Sequence, residues 1–233
     1  MSFEKIKTPT VRENFVRELE NKIISGELRP GDKLPTAKDM CAMMGVSLTV
    51  VNAGMSELVS KGFVETVPRR GSYVADYKKK GNTDTFISIM RYNGGTLTAD
   101  EVRSFTETRM ALDPFVARLV VERASDEEIE QLKPALEEMK KESDSRRLSE
   151  LVTDFYHLLA VISGNTFMAL LYHSTAEPQS CVYRMYFDKN GTGTTVANCE
   201  RLYELLRARD ADTACRLMLF ALNTALEGER AVI

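Results

Sequence analysis

The sequence predicts a mainly α protein, with an N-terminal winged helix-turn-helix that has a small β-hairpin wing, and a C-terminal all-α antiparallel helical bundle. Apolar residues recur at spacings of three and four along most of the chain, which is the period of a helix face. Two short runs within residues 63–75 instead have the composition and the intervening turn of a hairpin. The net charge also changes sign along the chain, which indicates two parts with different partners.

Charge and punctuation set the expected domain limits. Residues 1–80 contain 14 Lys and Arg against 10 Asp and Glu, a net charge of +4, whereas residues 81–233 carry a net charge of −7. A basic part joined to an acidic one predicts that contact with a polyanion is confined to the N-terminal part. We expect an N-terminal domain at residues 1–76, a solvated linker at residues 77–83 that includes three consecutive lysines, and a helical domain at residues 84–233.

The composition also predicts the compartment. The four cysteines have no CxxC spacing, and the N-terminus has no signal-peptide apolar core. No apolar run approaches the roughly 20 residues that a membrane-spanning helix needs. We therefore expect a cytoplasmic protein with reduced thiols and no membrane partner.

The N-terminal part has the start and stop signals of three helices. Pro30 and Gly31 follow the first apolar stripe and break the chain. Thr36 is expected to cap a short second helix, and Gly45 to end it in a left-handed conformation. Ser47 is expected to cap the third helix. Two helices joined by so short a turn are typical of a helix-turn-helix, in which the second helix enters the major groove of DNA.

A hairpin follows the third helix. Residues 63–67 and 72–75 are expected to be strands, and the turn between them bears Arg69 and Arg70. A basic hairpin positions a protein on phosphates, while the helix beside it contacts base edges. The pattern therefore predicts a wing.

The C-terminal part is expected to be almost entirely helical. Thr98 with Glu101 forms a capping box for a helix to about residue 123, and Ser125 with Glu128 forms one for a helix to about residue 141. A helix whose apolar stripe runs over residues 148–162 follows. Further helices are expected at residues 167–187, 195–209 and 213–227, with a flexible break at residues 191–195. Helices of this kind form an antiparallel bundle.

The motif PGDKLPT, followed by GVS and then RRGSYV, resembles the GntR family of bacterial transcription regulators over about residues 9–76. The family pattern implies arginines at the positions of Leu48 and Asn52 in the helix that enters DNA. Their loss predicts a shifted operator, since Asn52 pairs with an adenine edge rather than with guanine. The DNA contacts that we expect are Lys38, Ser47, Thr49, Asn52, Arg69, Arg70 and Gly71.

Residues 109–125, 155–165 and 207–218 resemble the FCD ligand-binding domain of one GntR subfamily, the FadR-like regulators. The resemblance implies a bundle with a central cavity that usually holds a divalent metal. Here His157 matches one ligand position, but Thr153, Cys199 and Ala221 stand at the other three. We therefore expect no metal or other cofactor. One variant zinc site, made of Asp154, His157 and Cys199, stays open on ligand chemistry.

Without a metal, an acidic effector needs protein donors. Arg109 is the leading candidate, because an inward guanidinium grips a carboxylate through paired hydrogen bonds. Arg184 and Tyr186 form a second expected donor cluster, for which an exposed arginine beside packing aromatics is the alternative. His157 and Cys199 complete the expected effector site. The family resemblance implies a small carboxylic or sugar acid.

These observations predict a ligand-responsive DNA-binding regulator that binds a palindromic operator as a homodimer. The effector would change DNA affinity through its different affinity for two arrangements of the protein. One alternative is an interaction protein whose helix lost DNA affinity through Leu48 and Asn52. The other is an enzyme that uses Asp154, His157 and Cys199, which no nucleophile elbow, phosphate loop or paired-carboxylate motif supports.

Overall fold

A computed structural model describes residues 9–226 and residue 232. The chain divides into two compact units, Met1–Gly94 and Gly95–Ile233. No single helix in the described part of the chain is long and apolar enough to cross a membrane, and only the sharply bent pair Ala37–Met44 and Leu48–Ser60 passes on length and composition. The first unit contains α1 (Val11–Ile24), α2 (Ala37–Met44), α3 (Leu48–Ser60), β1 (Val64–Val67), β2 (Gly71–Val74), α4 (Tyr77–Lys80) and α5 (Thr83–Tyr92).

The core of the first unit lies where α1 crosses α3. Phe15, Leu58 and Phe63 are almost completely buried there. Each such side chain contributes about 1.5–3 kcal/mol through the surface it removes from water. The crossing is close, because a Cβ on Gly54 would lie 2.3 Å from the Phe15 ring. Glycine at this position lets α3 dock on α1.

The expected helix boundaries around the turn are confirmed. Thr36 and Asp39 form a capping box at the start of α2, and Gly45 ends that helix with a φ of 65°. The hydroxyl of Ser47 accepts from the amide of Val50 and so caps α3. These local contacts satisfy backbone groups that helix ends otherwise leave free. They hold α2 and α3 as a helix-turn-helix.

The wing is a two-stranded antiparallel sheet. Val64 pairs with Val74 at its base, and Val67 pairs with Gly71 at its tip. The segment before α2 extends this hairpin, since Lys33 bridges to Tyr73 and the amide of Leu34 donates to Ser72. The wing is therefore fixed to the start of α2 as well as to the end of α3.

The segment expected to be a solvated linker is folded onto the first unit. Residues 77–80 form α4, and Asn82 caps the helix α5, which the sequence reasoning missed. The Asn82 amide group donates to the Ser60 carbonyl at 3.0 Å, and the Thr85 hydroxyl donates to the Lys61 carbonyl at 2.6 Å. These contacts explain why the boundary between the compact units falls at Gly94 and Gly95, about one helix later than the sequence suggested.

The second unit is a helical bundle, in which α6 packs on α13 and α9 packs on α11. Thr98 with Glu101 and Ser125 with Glu128 form the expected capping boxes. The helices are α6 (Ala99–Arg123), α7 (Asp126–Glu130), α8 (Lys133–Met139), α9 (Ser145–Ile162), α10 (Thr166–Ser174), α11 (Ala176–Asn190), α12 (Gly193–Arg207) and α13 (Ala211–Leu226). Residue 227, where the last helix was expected to end, lies outside the described residues.

Two long helices expected from the sequence are each divided. The helix after Ser125 breaks between α7 and α8, where Pro134 lies in the first turn of α8. The helix expected at residues 167–187 breaks at Thr175, three residues before Pro178. Proline lacks the amide that would continue the helix ladder, and its ring clashes with the preceding turn. The expected break at residues 191–195 is also shorter than predicted, since α12 begins at Gly193.

Candidate functional site

The first candidate surface is the exposed start of α3. Ser47, Leu48, Thr49 and Asn52 are all exposed, and Leu48 keeps 53% of its surface open although it is apolar. The buried side of the helix faces α1 through Val51. The first turn of α3 is therefore exposed, together with its backbone amides and short polar side chains. A helix that enters a groove of DNA requires such an exposed start.

A cleft of about 700 Å³ separates α3 from the wing. It brings together three of the residues predicted to contact DNA, which are Asn52, Arg70 and Gly71. Lys33 also lines it, and the sequence reasoning missed this residue. Its Cε would lie 3.3 Å from a Cβ on Gly71, which places the ammonium beside the wing tip. An isolated backbone bridge holds Lys33 beside Tyr73, and no local sequence pattern indicates such a bridge.

The wing tip holds a strained arginine. The amide of Arg70 donates to the Val67 carbonyl at 3.0 Å, which closes a four-residue turn over Pro68 and Arg69. Arg69 has a φ of 64°, in the third position of a turn that has proline in the second. Glycine or asparagine is usual at such a position, because a β-carbon is crowded there. The tip therefore presents two adjacent exposed guanidinium groups on a backbone that would favour a smaller residue.

The remaining expected DNA contacts lie outside the cleft lining. Lys38 is exposed on α2, and Thr49 is exposed in the first turn of α3. Ser47 has a structural role, since its hydroxyl caps α3. A contact from Ser47 to DNA would compete with that cap.

The second candidate site lies inside the helical bundle, at Arg109 on α6. Arg109 keeps only 6% of its surface exposed. Its Nη2 donates to Oδ2 of Asp113 at 2.6 Å, and the hydroxyl of Tyr172 donates to the other oxygen of Asp113 at 2.5 Å. Burial disfavours the charged guanidinium, but the Asp113 carboxylate keeps the pKa of Arg109 well above its usual value. The guanidinium of Arg109 therefore stays charged despite its burial.

Two tyrosines flank the guanidinium. Its Cζ lies 4.7 Å from the ring centre of Tyr156 and 5.2 Å from that of Tyr183, so the cation is held over aromatic faces. Burial raises the pKa of both phenols, which keeps them protonated. The Nε of Arg109 is buried and has no hydrogen-bond partner among the residues that the structure describes. A buried donor without a partner is costly and marks a place for a ligand or an ordered water.

An internal space of about 60 Å³ lies beside this group. This volume holds a few waters or one small polar molecule. Among the described residues, its lining combines neutral hydrogen-bonding groups with one cation, Arg109. The lining residues that matter here are Thr106, Arg109, Tyr183, Tyr186, Thr195 and Asn198.

Three of the residues expected in the effector site are placed elsewhere. Arg184 donates to the carbonyl of Gly95 at 2.8 Å. His157 faces His173, with 5.3 Å between the ring centres. Cys199 is fully buried but does not line the cavity, and burial raises the pKa of its thiol to about 12. Of the expected residues, the structure brings only Arg109 and Tyr186 to the cavity.

The variant metal site is not assembled. Asp154 is exposed, whereas Cys199 is buried. Within the described part of the chain, no three His, Cys, Asp or Glu side chains are grouped so that they could hold a metal ion. The i, i+3 spacing of Asp154 and His157 suggested a shared face, but their burial differs because Asp154 points outward from α9.

Comparison with known families identifies both parts of the chain. Residues 11–74 match the family described as bacterial regulatory proteins of the gntR family, and residues 104–223 match the FCD domain. The chain belongs to the GntR family and carries an FCD domain. This GntR-family protein is therefore a DNA-binding transcriptional regulator and not an enzyme. The first range contains the residues that line the cleft beside α3, and the second contains Arg109 and most of the residues that line the space beside it.

Named relatives extend over most of this GntR-family chain. It is 24% identical to the uncharacterized HTH-type transcriptional regulator YcbG of Bacillus subtilis, over 90% of this chain and 86% of the relative. It is 23% identical to the galactonate operon transcriptional repressor of Escherichia coli, over 87% and 89% of the two chains. Among solved structures, Lar, described as controlling the agr system of Listeria monocytogenes, has a TM-score of 0.62 at 18% identity, over 93% of this chain and 95% of that one. That likeness shows a shared fold.

Proposed function

We propose that this regulator binds a palindromic operator as a cytoplasmic homodimer, and that a small carboxylic or sugar acid in the Arg109 cavity changes its affinity for DNA. The observation that carries the proposal is the buried guanidinium of Arg109, whose Nε is unpartnered among the described residues beside an internal space. A buried donor of this kind is a ready-made partner for a carboxylate oxygen.

The cleft between α3 and the wing supports the DNA half of the proposal. Asn52 lines this cleft, and we propose that it donates to and accepts from an adenine edge in the major groove. Arg69, Arg70 and Lys33 supply cations at the wing side for phosphates. Lys38 and Thr49 would contact the DNA backbone or bases from the exposed ends of α2 and α3.

We infer a dimer because the surface that one copy offers to DNA is small. One copy offers one short helix start and one wing tip, a small number of contacts for a specific site. Two copies related by a two-fold axis would present paired helices to the two halves of a palindrome and double the phosphate contacts.

The properties of the cavity indicate the class of effector. Arg109 would bind one carboxylate, while Thr106, Tyr186 and Asn198 would accept or donate hydrogen bonds to hydroxyl groups. Asp113 already binds Nη2 of Arg109, which leaves the Nε donor for a single carboxylate. A relative that is named as a galactonate operon repressor is consistent with a hydroxylated monocarboxylate.

A metal does not fit the residues present. At two of the positions where the FCD resemblance implies ligands, Thr153 spends its hydroxyl on the Ser149 carbonyl at 2.8 Å and Ala221 has no donor atom. Cys199, at a third, is fully buried while Asp154 is exposed, and the described residues contain no group of three His, Cys, Asp or Glu side chains that could hold a metal ion. We propose that Arg109 takes over the binding of the acid without a metal.

Selection of bound duplexes from a random pool, with and without a mixture of lactate, D-galactonate and acetate, tests the proposal. We expect a palindromic motif whose enrichment changes when the acids are present. Anisotropy titrations of the selected duplex then give the size of the change, which is about 5- to 150-fold for typical allosteric coupling. A motif that no acid alters would contradict the effector half alone, while the absence of any enriched motif would contradict the DNA half.

A further inference from the structure

The boundary between the two compact units is a pair of glycines in the left-handed region. Gly94 and Gly95 have φ values of 78° and 83°. A β-carbon at either position would have no neighbour within 4 Å, so crowding by other residues does not explain the glycines. Their backbone conformation does, because residues with a β-carbon rarely adopt it. Two consecutive glycines of this kind form a joint with a soft backbone.

The helix before the joint is fixed to the DNA-binding unit. The hydroxyl of Ser88 on α5 donates to Oε1 of Glu20 at 2.9 Å, and Lys61 contacts the same oxygen at 2.9 Å. Glu20 and Ser88 are buried, and Lys61 is nearly so. Three helices, α1, α3 and α5, thus share one buried polar group. Separating α5 would remove a buried hydrogen bond to the Glu20 carboxylate, which fixes α5 to the first unit.

The second glycine of the joint and the residue after it contact α11. Nη2 of Arg184 donates to the carbonyl of Gly95 at 2.8 Å, and the thiol of Cys181 lies 3.5 Å from the same oxygen. The hydroxyl of Thr96 contacts the sulfur of Met185 at 3.4 Å. Cys181, Arg184 and Met185 on α11 therefore contact the first two residues of the second unit.

The same turns of α11 also face the cavity. Tyr183 lies under the Arg109 guanidinium, and Tyr186 lines the internal space. Each is within two residues of Arg184, on a continuous helix whose backbone hydrogen bonds keep neighbouring residues in fixed relation. A molecule that displaces either tyrosine must shift this part of α11 or change its side-chain packing, and Arg184 moves with it.

We propose that Arg184 is the coupling residue of this regulator, which transmits the state of the Arg109 cavity through α11 to the glycine joint at Gly94 and Gly95. The inference rests on the proposed function, because it assigns a route to the effector signal. It also gives Arg184 a positioning role in place of the direct effector contact that its sequence context suggested. The state of the cavity would change how firmly the Gly95 carbonyl is held, and so the freedom of the DNA-binding unit.

A cavity-filling substitution tests the route without any effector. Ala221→Leu, or Ala225→Leu if the first variant does not fold, fills the internal space from α13. Hydrogen exchange of the amides in residues 94–98 is measured in the full chain, with and without Arg184→Met. We expect Arg184→Met alone to speed this exchange about tenfold, the usual worth of a hydrogen bond from a charged group. The cavity filling should change exchange in the parent protein and have little effect in the Arg184→Met background.

Two further variants separate coupling from general loosening. Lys189→Met removes an exposed cation from the same helix and should leave the exchange of residues 94–98 unchanged. Arg184→Lys retains one donor for the Gly95 carbonyl and should restore part of the protection. An equal response to cavity filling with and without Arg184 would overturn the proposal.

Effector titration keeps the two proposals distinguishable. Lactate, D-galactonate and acetate are titrated by calorimetry against parent protein and Arg184→Met, and their effect on affinity for the selected duplex is measured in parallel. We expect the affinity of Arg184→Met for an acid to differ less than threefold from that of the parent protein. The factor by which the acid changes DNA affinity should fall to about one in this variant, whereas typical coupling factors are about 5- to 150-fold. If no acid binds the parent protein, the effector proposal fails, and the exchange experiment still decides the role of Arg184.

Discussion

Arg109 and Asp113 form a buried ion pair one turn apart on α6, with 2.6 Å between Nη2 and Oδ2. Asp113 is 1% exposed, and its second oxygen accepts from Tyr172 on α10. The pair therefore ties α6 to α10 and also fixes the direction of the guanidinium toward the cavity. Neither charge has access to bulk water, so each depends on the other.

Replacing Asp113 by alanine is expected to lower the free energy of unfolding of the helical unit by about 3–5 kcal/mol, because it leaves a buried guanidinium without its counter-ion. Far-UV circular dichroism during urea titration measures this. Asp212→Ala is the control, since Asp212 pairs with Arg118 at 3.3 Å but both side chains are at least half exposed. An exposed pair contributes about 0–1 kcal/mol. Similar losses for the two variants would show that the Asp113 pair is not buried in solution.

The same pair predicts selectivity for charge. A monocarboxylate gains the free Nε of Arg109, whereas a second carboxylate would be desolvated beside Asp113, with no further cation among the described lining residues. We expect lactate to bind at least about tenfold more tightly than malate, since a buried unpaired charge costs several kcal/mol. Calorimetry at matched ionic strength checks this, and tighter binding of malate would mean that another cation reaches the cavity.

The Cys199 thiol provides a test that involves no effector. Burial raises its pKa to about 12, with the Arg109 charge opposing, so the thiolate is favoured only at high pH. At pH 8 only about one molecule in ten thousand would carry the reactive thiolate. Iodoacetamide should therefore modify Cys41, which is partly exposed, well before Cys199, as peptide mass spectrometry would report. Rapid alkylation of Cys199 in the folded protein would contradict its burial.

The wing tip combines strain with charge. Arg69→Gly should raise the stability of the first unit by about 1 kcal/mol, because glycine adopts a positive φ without crowding from a β-carbon. It should also weaken DNA binding and reduce the slope of log affinity against log salt by about 1, since one phosphate contact is lost. Arg69→Lys retains both the cation and the strain and serves as the control. A glycine variant that binds DNA with unchanged salt dependence would remove Arg69 from the interface.

The sequence predicted most of the fold, because local chemistry determines most helix ends here. Thr36, Ser47 and Thr98 each accept a hydrogen bond within their own first turn, so a short window of sequence contains the whole signal. The structure of residues 77–83 is not determined by local contacts. It depends on Asn82 and Thr85 reaching the carbonyls of Ser60 and Lys61, more than 20 residues earlier.

The residues of the candidate sites show the same difference between local and long-range contacts. The family motif assigned Asn52 and Arg70 to α3 and the wing, and the structure brings both to one cleft. Arg109 was predicted from its apolar neighbours, because an arginine among them is unusual on a helix face, and the structure places it beside the space in the bundle. Arg184 differs, since its partner is a backbone carbonyl 89 residues away, and no side-chain pattern reports such a contact. Lys33 was missed for the same reason, because its place beside Gly71 follows from pairing across the hairpin.

Asn52 and Arg70 line one cleft, but we expect their replacement to change DNA binding in different ways. Asn52→Ala removes a bidentate partner for adenine, which costs about 1–3 kcal/mol at that base pair and relaxes preference only there. Arg70→Ala removes a cation near phosphates, so affinity should fall by a similar factor on all duplexes and the salt slope should drop by about 1. Competition binding with single-base variants of the selected duplex separates these outcomes. If Asn52→Ala weakened all duplexes equally, Asn52 would contact the backbone, and the operator would be read by other residues of α3, of which exposed Thr49 is the first to test.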